Sequence, residues 1–312
     1  MKKIVAGLGV ATLAFLTMST VSAGLFRDRY MDRAESRRGG NAIEQSEGPV
    51  APIALPPGVR VERDIAYGPD ASQRIDVYLP PHPASAAVIF MVHGGAWMVG
   101  DKASVNVVEN KMKRWVPEGF IMVSVNYPLS PKADPVEQAH DVAKALAFAQ
   151  SKAKSWGGDP ARFVVMGHSA GAHLVSLLGA DPSIATREGA KPWLGTISLD
   201  SAAYDVPRIM EARHYRFYDR VFKNDPDYWR KASPIYRISP EGAPMMLVCS
   251  SERQDSCPQA RSFAEKMSAK GRKVTVFPVA LTHPEINKTL GLPGEYTDAV
   301  NSFLRSLGVD AK

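Results

Sequence analysis

Eight short apolar runs of the kind that form buried β-strands recur between residues 61 and 279, and they constrain the fold more than any other feature. The runs are 61–67, 74–79, 87–92, 120–127, 163–166, 194–199, 245–249 and 274–279. Patterns with helical spacing fall among the later runs, at about 103–116, 135–155, 170–180, 258–271 and 295–307. This alternation predicts an α/β fold with a mostly parallel eight-stranded sheet and helices on both faces.

The first 23 residues have the pattern of a secretory signal peptide. Lys2 and Lys3 precede an apolar run, and the small residues at 21–23 fit the rule for cleavage, which we expect after Ala23. The apolar run is too short to span a membrane comfortably, so no stable membrane insertion is expected after cleavage. These features predict a periplasmic or secreted protein, with an uncleaved anchor as the alternative.

Two further segments depart from the alternation of strands and helices. Residues 24–58 carry mixed charges, Gly and Pro but few large apolar side chains, which predicts a flexible tail or linker. Residues 59–312 then form the main domain, and its segment 201–239 is long and rich in aromatic and charged residues. Long insertions in compact domains are usually functional or disordered, so we interpret 201–239 as a small inserted cap.

The composition excludes one class of partner. The chain of 312 residues is 45% hydrophobic, which is enough for one large buried core. Its formal net charge of +6 is mild, and the sequence has no dense basic patch interleaved with aromatic residues. Nucleic acid is therefore not expected as a partner.

The stretch Gly167-His168-Ser169-Ala170-Gly171 matches the G-x-S-x-G pattern and lies where a strand-like run meets a helical one. In this context the serine occupies a tight turn that presents its hydroxyl above the sheet. The following helix N-terminus favours negative charge nearby. We therefore interpret Ser169 as a candidate nucleophile, against the alternative of a purely structural turn.

A second glycine-rich turn, His93-Gly94-Gly95-Ala96-Trp97, follows the apolar run 87–92. Glycines at a strand end leave backbone N–H groups open to an oxyanion, the charge that develops during ester cleavage. The expected oxyanion donors are the N–H groups of Gly94, Gly95 and Ala170. Trp97 and His168 are expected to line the pocket.

A serine nucleophile needs a base, and histidine is the usual one. His173, His214 and His283 follow Ser169 in the chain, and His283 comes directly after the last strand-like run, in a loop at the sheet's edge. His283 is therefore the predicted base, since His173 lies on the helix that follows Ser169 and His214 lies within the cap.

The acid that orients the base is expected at the end of another strand. Asp255 and Glu252 follow the run that ends at residue 249, and Asp200 and Asp205 follow the preceding run. We predict Asp255 as the acid and keep Glu252, Asp200 and Asp205 as alternatives.

The chain contains two cysteines, Cys249 and Cys257, eight positions apart. Export to an oxidising compartment permits a disulfide between them. Two separate thiols remain the alternative, because spacing alone does not define the geometry.

Taken together, HGGAW, GHSAG, the late THPEIN loop and VNYPLSP (residues 125–131) resemble the α/β-hydrolase superfamily over residues 60–308. Within it the chain is similar to the HGG-type carboxylesterase branch, which contains hormone-sensitive-lipase-like, feruloyl-esterase-like and kynurenine-formamidase-like proteins. The resemblance implies Ser169 as nucleophile, His283 as base, and an oxyanion hole at Gly94, Gly95 and Ala170. The loop SSERQDSCPQ lacks the glycine that relatives often carry before the acid.

The function that these residues predict is a secreted serine hydrolase acting on a small-molecule carboxylic ester of small to medium size. The chemistry needs no cofactor and no metal, and the sequence carries neither an H-E-x-x-H pattern nor a phosphate loop. The alternatives are an amidase or arylformamidase with the same triad, and a non-catalytic binding protein on a hydrolase fold.

Overall fold

The computed structural model describes residues 47–310, so the predicted signal peptide and residues 24–46 of the predicted tail lie outside the described residues. The strands are β1 Arg60–Ala66, β2 Arg74–Leu79, β3 Ala86–Val92, β4 Ile121–Val125, β5 Gly158–His168, β6 Gly195–Leu199, β7 Met245–Ser250 and β8 Val274–Val279. The helices are α1 Val105–Trp115, α2 Pro135–Lys152, α3 Ala170–Ala180, α4 Ser183–Arg187, α5 Val206–Met210, α6 Arg216–Phe222, α7 Pro226–Lys231, α8 Ser256–Ser268, α9 His283–Thr289 and α10 Glu295–Ser306.

The eight strands form one sheet in the order β1-β2-β4-β3-β5-β6-β7-β8. Strand β2 runs antiparallel to both β1 and β4, whereas β3 to β8 pair in parallel. Parallel strands need crossover connections, and the helices supply them. The predicted eight-stranded, mostly parallel α/β sheet is confirmed.

Both faces of the central strands are buried, as strand β3 illustrates. Its side chains alternate between two apolar clusters, with Val88 and Phe90 in one and Ile89 and Met91 in the other. Helices α2 and α3 cover the first face, and α1 and α10 cover the second. Because successive side chains of a strand point to opposite faces, an unbroken apolar run fits a strand covered on both sides.

Helix α2 illustrates how local sequence sets an element's start. Asp134 caps the helix through hydrogen bonds from the N–H groups of Val136 and Glu137, and the Glu137 side chain accepts from the Asp134 N–H. Pro135 occupies the first helical position, where the missing N–H costs nothing. No helix among residues 47–310 is long and apolar enough to cross a membrane.

The segment between β6 and β7 breaks the alternation, in line with the predicted cap. It contains the short helices α5, α6 and α7 and a 3-10 turn at Pro234–Tyr236. The five predicted helical runs correspond to α1, α2, α3, α8 and α10. The elements that the sequence pattern missed have seven residues or fewer, too few for helical periodicity to be recognised.

Residues 47–58, which the sequence assigned to a flexible tail, instead pack on the main domain. Glu47 is 2% exposed, and Ile53 and Leu55 contact the cluster under α1 and α10. Val50 also pairs with Ser104 in an isolated bridge. These partners lie far away in the sequence, so a composition typical of loops did not indicate them.

Cys249 at the end of β7 and Cys257 at the start of α8 form a disulfide, with their Cα atoms 5.1 Å apart. This resolves the two alternatives that the spacing left open. The bridge closes the loop 250–256 next to the site described below.

Candidate active site

Ser169 occupies the sharp turn between β5 and α3. Its backbone has φ 55° and ψ −118°, a strained conformation for a residue with a side chain. Glycine is required on either side, because a Cβ at Gly167 would lie 2.4 Å from the Gly171 carbonyl oxygen and one at Gly171 would lie 2.2 Å from that of Val92. The predicted nucleophile therefore lies in a turn that only this pattern of small residues permits.

His283 is brought to Ser169 by a short helix and not by a loop. Its Nε2 lies 2.9 Å from Ser169 Oγ, across 114 positions of sequence. His283 is the first residue of α9, which Thr282 and Glu285 start with a capping box. The spacing T-x-x-E is the sequence signal that could have indicated this helix.

Asp200 contacts the other nitrogen of the imidazole. Its Oδ2 lies 2.5 Å from His283 Nδ1, and Arg253 Nη1 donates to the same oxygen at 2.8 Å. The second carboxylate oxygen accepts from the Ser250 N–H at 2.8 Å and from the Ser256 hydroxyl. Asp200 directly follows β6 and is fully buried, so its carboxylate is held from four directions.

The prediction of Asp255 as the acid is wrong in this geometry. Asp255 has a side chain that is 53% exposed, and its carboxylate accepts from Arg253 Nη2 at 3.1 Å without contacting His283. The loop 250–256 lies beside the site, but it supplies donors to Asp200 and not the acid itself. Asp200 was one of the alternative acids. The sequence feature that indicated it was a carboxyl group directly after an apolar run.

The other candidates for the acid and the base are either exposed or bonded to other groups. Glu252 is exposed, and Asp205 caps α5. His173 is fully buried, with Nδ1 accepting from Trp97 Nε1 at 3.1 Å and Nε2 donating to the Ala232 carbonyl oxygen at 2.6 Å. His214 pairs with Asp219 inside the cap segment. None of these four side chains has a hydrogen bond to the Ser169 hydroxyl or to His283 among the described residues.

The pKa values of the hydrogen-bonded series suit proton transfer. Burial and the neighbouring His168 lower the pKa of His283 to about 4, despite the hydrogen bond to Asp200. Burial opposes ionisation of Asp200, but the His283 hydrogen bond and the Arg253 charge outweigh it and hold the pKa of that carboxyl well below its usual range. At neutral pH His283 is thus a neutral acceptor beside a carboxylate, the states that a base and its orienting acid require.

The turn after β3 lies against the serine turn, because a Cβ at Gly94 would lie 2.8 Å from Ser169 Cβ. Its free N–H groups are not the set that the sequence predicted. The Gly94 backbone hydrogen-bonds the Glu47 carboxylate, so its N–H is not free for a substrate. The N–H groups of Gly95, Ala96 and Ala170 donate no hydrogen bond within residues 47–310. Gly95 and Ala96 have φ values of 99° and 49°, so successive N–H groups form a concave turn of the type that binds anions.

Trp97 and His168 are buried, although the sequence predicted that they line a pocket. Trp97 is 3% exposed and packs edge-on against Phe222 of α6, with ring centroids 5.0 Å apart. It therefore joins the turn after β3 to the cap segment. His168 is fully buried beneath the turn, between Glu47 and the backbone of His283, and cannot line a pocket.

Chemically, the site combines a serine hydroxyl in contact with an imidazole, a carboxylate that orients this imidazole, and N–H groups without a partner among residues 47–310. These are the groups that an acyl-transfer reaction requires. Residues 47–310 contain no group of three or more His, Cys, Asp or Glu side chains that could hold a metal ion.

The family model described as BD-FAE matches residues 75–267, which is more than half of the chain. Among curated proteins, Esterase LipC of Mycobacterium tuberculosis is 31% identical over 229 residues, covering 67% of this chain and 56% of that protein. The probable carboxylic ester hydrolase LipM of the same organism is 27% identical over 284 residues, covering 83% of this chain and 61% of that protein. The chain thus spans less than two thirds of the length of these relatives.

Among solved structures, Esterase B from Lactobacillus rhamnosis superposes with a TM-score of 0.67 at 18% identity, covering 93% of this chain and 94% of that one. This likeness supports the fold. Fold and relatives together define an α/β hydrolase of the HGG-type carboxylesterase branch, as the motifs predicted. The chain belongs to the BD-FAE family.

Proposed function

We propose that the chain is an exported serine carboxylesterase that cleaves a small-to-medium carboxylic ester through an acyl-enzyme on Ser169. The observation that carries the proposal is the continuous hydrogen-bonded series from Ser169 Oγ through His283 to Asp200. The esterase relatives support the same reaction class.

In the proposed reaction, His283 Nε2 takes the Ser169 proton while Oγ attacks the ester carbonyl carbon. The carbonyl oxygen becomes an oxyanion, and the N–H groups of Gly95, Ala96 and Ala170 stabilise it. The imidazolium, paired with Asp200, then donates its proton to the departing alcohol. Water repeats the sequence on the acyl-enzyme and releases the acid.

Aromatic side chains join the oxyanion turn to the cap segment. Trp97 contacts both Tyr218 and Phe222, with ring centroids 6.0 Å and 5.0 Å away. Both partners belong to α6 of the cap segment. We propose that this packing holds the oxyanion turn in the shape that the reaction needs.

Export is supported by the N-terminal pattern and by the disulfide. Disulfides persist in oxidising compartments and are rare in reducing ones. The Cys249–Cys257 bridge is therefore consistent with the periplasmic or secreted location that the sequence predicts.

The test is hydrolysis of p-nitrophenyl acetate, butyrate and octanoate by the full chain beside Ser169→Ala. We expect turnover that Ser169→Ala abolishes, while Ser151→Ala, on the exposed surface of α2, leaves it unchanged. Turnover of formamides alone would favour the arylformamidase alternative. A folded chain with no Ser169-dependent turnover on esters or amides would favour the binding protein.

A further inference from the structure

Glu47 is a buried carboxylate behind the active site, contributed by the segment that precedes the sheet. Its Oε1 lies 2.7 Å from His168 Nδ1, and its Oε2 accepts from Asn287 Nδ2 at 3.2 Å. The Gly94 backbone also hydrogen-bonds this carboxylate. One side chain therefore contacts the serine turn, the oxyanion turn and the helix that begins at His283.

His168 extends this contact to the base. Its Nε2 lies 3.0 Å from the carbonyl oxygen of His283, and its Nδ1 faces the Glu47 carboxylate. The two contacts hold the fully buried ring between the Glu47 carboxylate and the backbone of His283. A displacement of Glu47 is therefore passed through this ring to the first residue of α9.

We propose that Glu47 is a positioning residue for the proposed reaction, acting through His168 on the backbone of His283 and through Gly94 on the oxyanion turn. The inference rests on the proposed function and goes beyond it, because it makes the segment before β1 part of the active site. A misplacement of a catalytic group by about 1 Å can lower the reaction rate by up to ~10²-fold. A residue that fixes the position of His283 can therefore affect the rate without contacting the substrate.

The position of His168 also has a consequence for the base. The rings of His168 and His283 have centroids 4.5 Å apart, and His168 lowers the pKa of His283. The other charged groups facing His283 are Asp200 and Arg253. Those facing Glu47, besides His168, are His93 and Lys111.

Lys111 completes the buried arrangement behind α9. Its Nζ donates to the Asn287 carbonyl oxygen at 2.6 Å and to the Asn287 side-chain oxygen at 2.9 Å. Burial lowers the pKa of Lys111 to about 7, against the influence of Glu47. Because Asn287 also donates to Glu47, the carboxylate and the amine hold the same residue of α9 from two sides.

The test compares Glu47→Gln, Glu47→Asp and His168→Asn in the full chain. The matched control is Glu62→Gln on the exposed side of β1. The kcat and KM for p-nitrophenyl butyrate are measured from pH 3.5 to 8, with a thermal melt of each variant. We expect Glu47→Gln to lower kcat roughly tenfold with little change in KM.

Glu47→Gln also removes the negative charge beside His168, which changes the effect that His168 has on the pKa of His283. The acid limb of kcat/KM should then move upward by roughly one pH unit. Glu47→Asp keeps the charge but shortens the side chain, so its acid limb should stay near that of the unaltered chain. Glu62→Gln should match the unaltered chain throughout.

The inference is overturned if Glu47→Gln keeps kcat within about twofold of the unaltered chain, or lowers it without moving the acid limb, as a loss of packing would. If Glu47→Gln fails to fold, His168→Asn decides by the same two measurements, because it removes the ring that links Glu47 to His283. Absence of Ser169-dependent turnover in the unaltered chain would instead refute the proposed function, which separates the two failures.

Discussion

Asp200→Asn is the substitution that tests the hydrogen-bonded series most directly. One carboxylate oxygen accepts from Ser250 and Ser256 and the other from His283 and Arg253, so each oxygen faces only donors. An amide at this position must turn its NH₂ group toward one of these pairs. If the NH₂ group faces His283, Nδ1 of the imidazole must accept a hydrogen bond, and the imidazole proton then lies on Nε2. In that tautomer Nε2 cannot accept the proton of Ser169.

The magnitude follows from this tautomer change. In a serine triad, replacing the acid by its amide lowers kcat by about 10⁴-fold, or about 5.5 kcal/mol of transition-state stabilisation. We expect a loss of that order for Asp200→Asn. Asp255→Asn removes only a contact with the partly exposed Arg253 side chain and should change kcat by less than about threefold.

The assay is steady-state hydrolysis of p-nitrophenyl butyrate at pH 7.5 by both variants, with a thermal melt to establish that each is folded. The unaltered chain and Ser169→Ala set the upper and lower limits of the measurement. A folded Asp200→Asn variant with near-normal turnover, together with an Asp255→Asn variant that is inactive, would refute the assignment of Asp200 as the acid.

Two further predictions follow from the same region. The pKa of His283 is lowered to about 4, so the base stays neutral until the pH falls near that value. We therefore expect kcat/KM to be flat from about pH 5.5 to 8 and to decline only below this range. A decline centred near pH 6.5 would contradict this expectation. The Cys249–Cys257 bridge closes a loop of eight positions, worth about 2.5 kcal/mol by loop entropy, so Cys257→Ser or reduction should lower the Tm by roughly 4–5 °C. Alkylation of the unfolded, unreduced chain should find no free thiol, and two reactive thiols would disprove the bridge.

The elements that the sequence predicted well are those set by local patterns. Ser169 and His283 were predicted as partners from one pentapeptide and from chain order, and the structure places their side chains 2.9 Å apart. The sheet was predicted because runs buried on both faces are apolar without interruption. Such features depend on periodicity and on turn chemistry, which a single sequence displays.

The elements that were missed depend on contacts between distant segments. Asp200 and Asp255 both follow strands, and only the packed structure reveals that the first is fully buried and the second largely exposed. Glu47 lies 121 positions from His168, in a segment whose composition indicates a loop. The sequence predicted the Gly94 N–H as an oxyanion donor, because no sequence pattern indicates that this N–H donates to the Glu47 carboxylate.

The position of Asp200 explains why the loop after β7 looked like the source of the acid. Strand β7 lies between β6, which ends beside Asp200, and β8, which leads to His283. The carboxylate and the imidazole must therefore meet above the end of β7, and that end has to accommodate a buried charge. It does so with the Ser250 N–H, the Ser256 hydroxyl and the Arg253 guanidinium. Because the disulfide fixes this loop at both ends, the donors to Asp200 are held in place before any substrate binds.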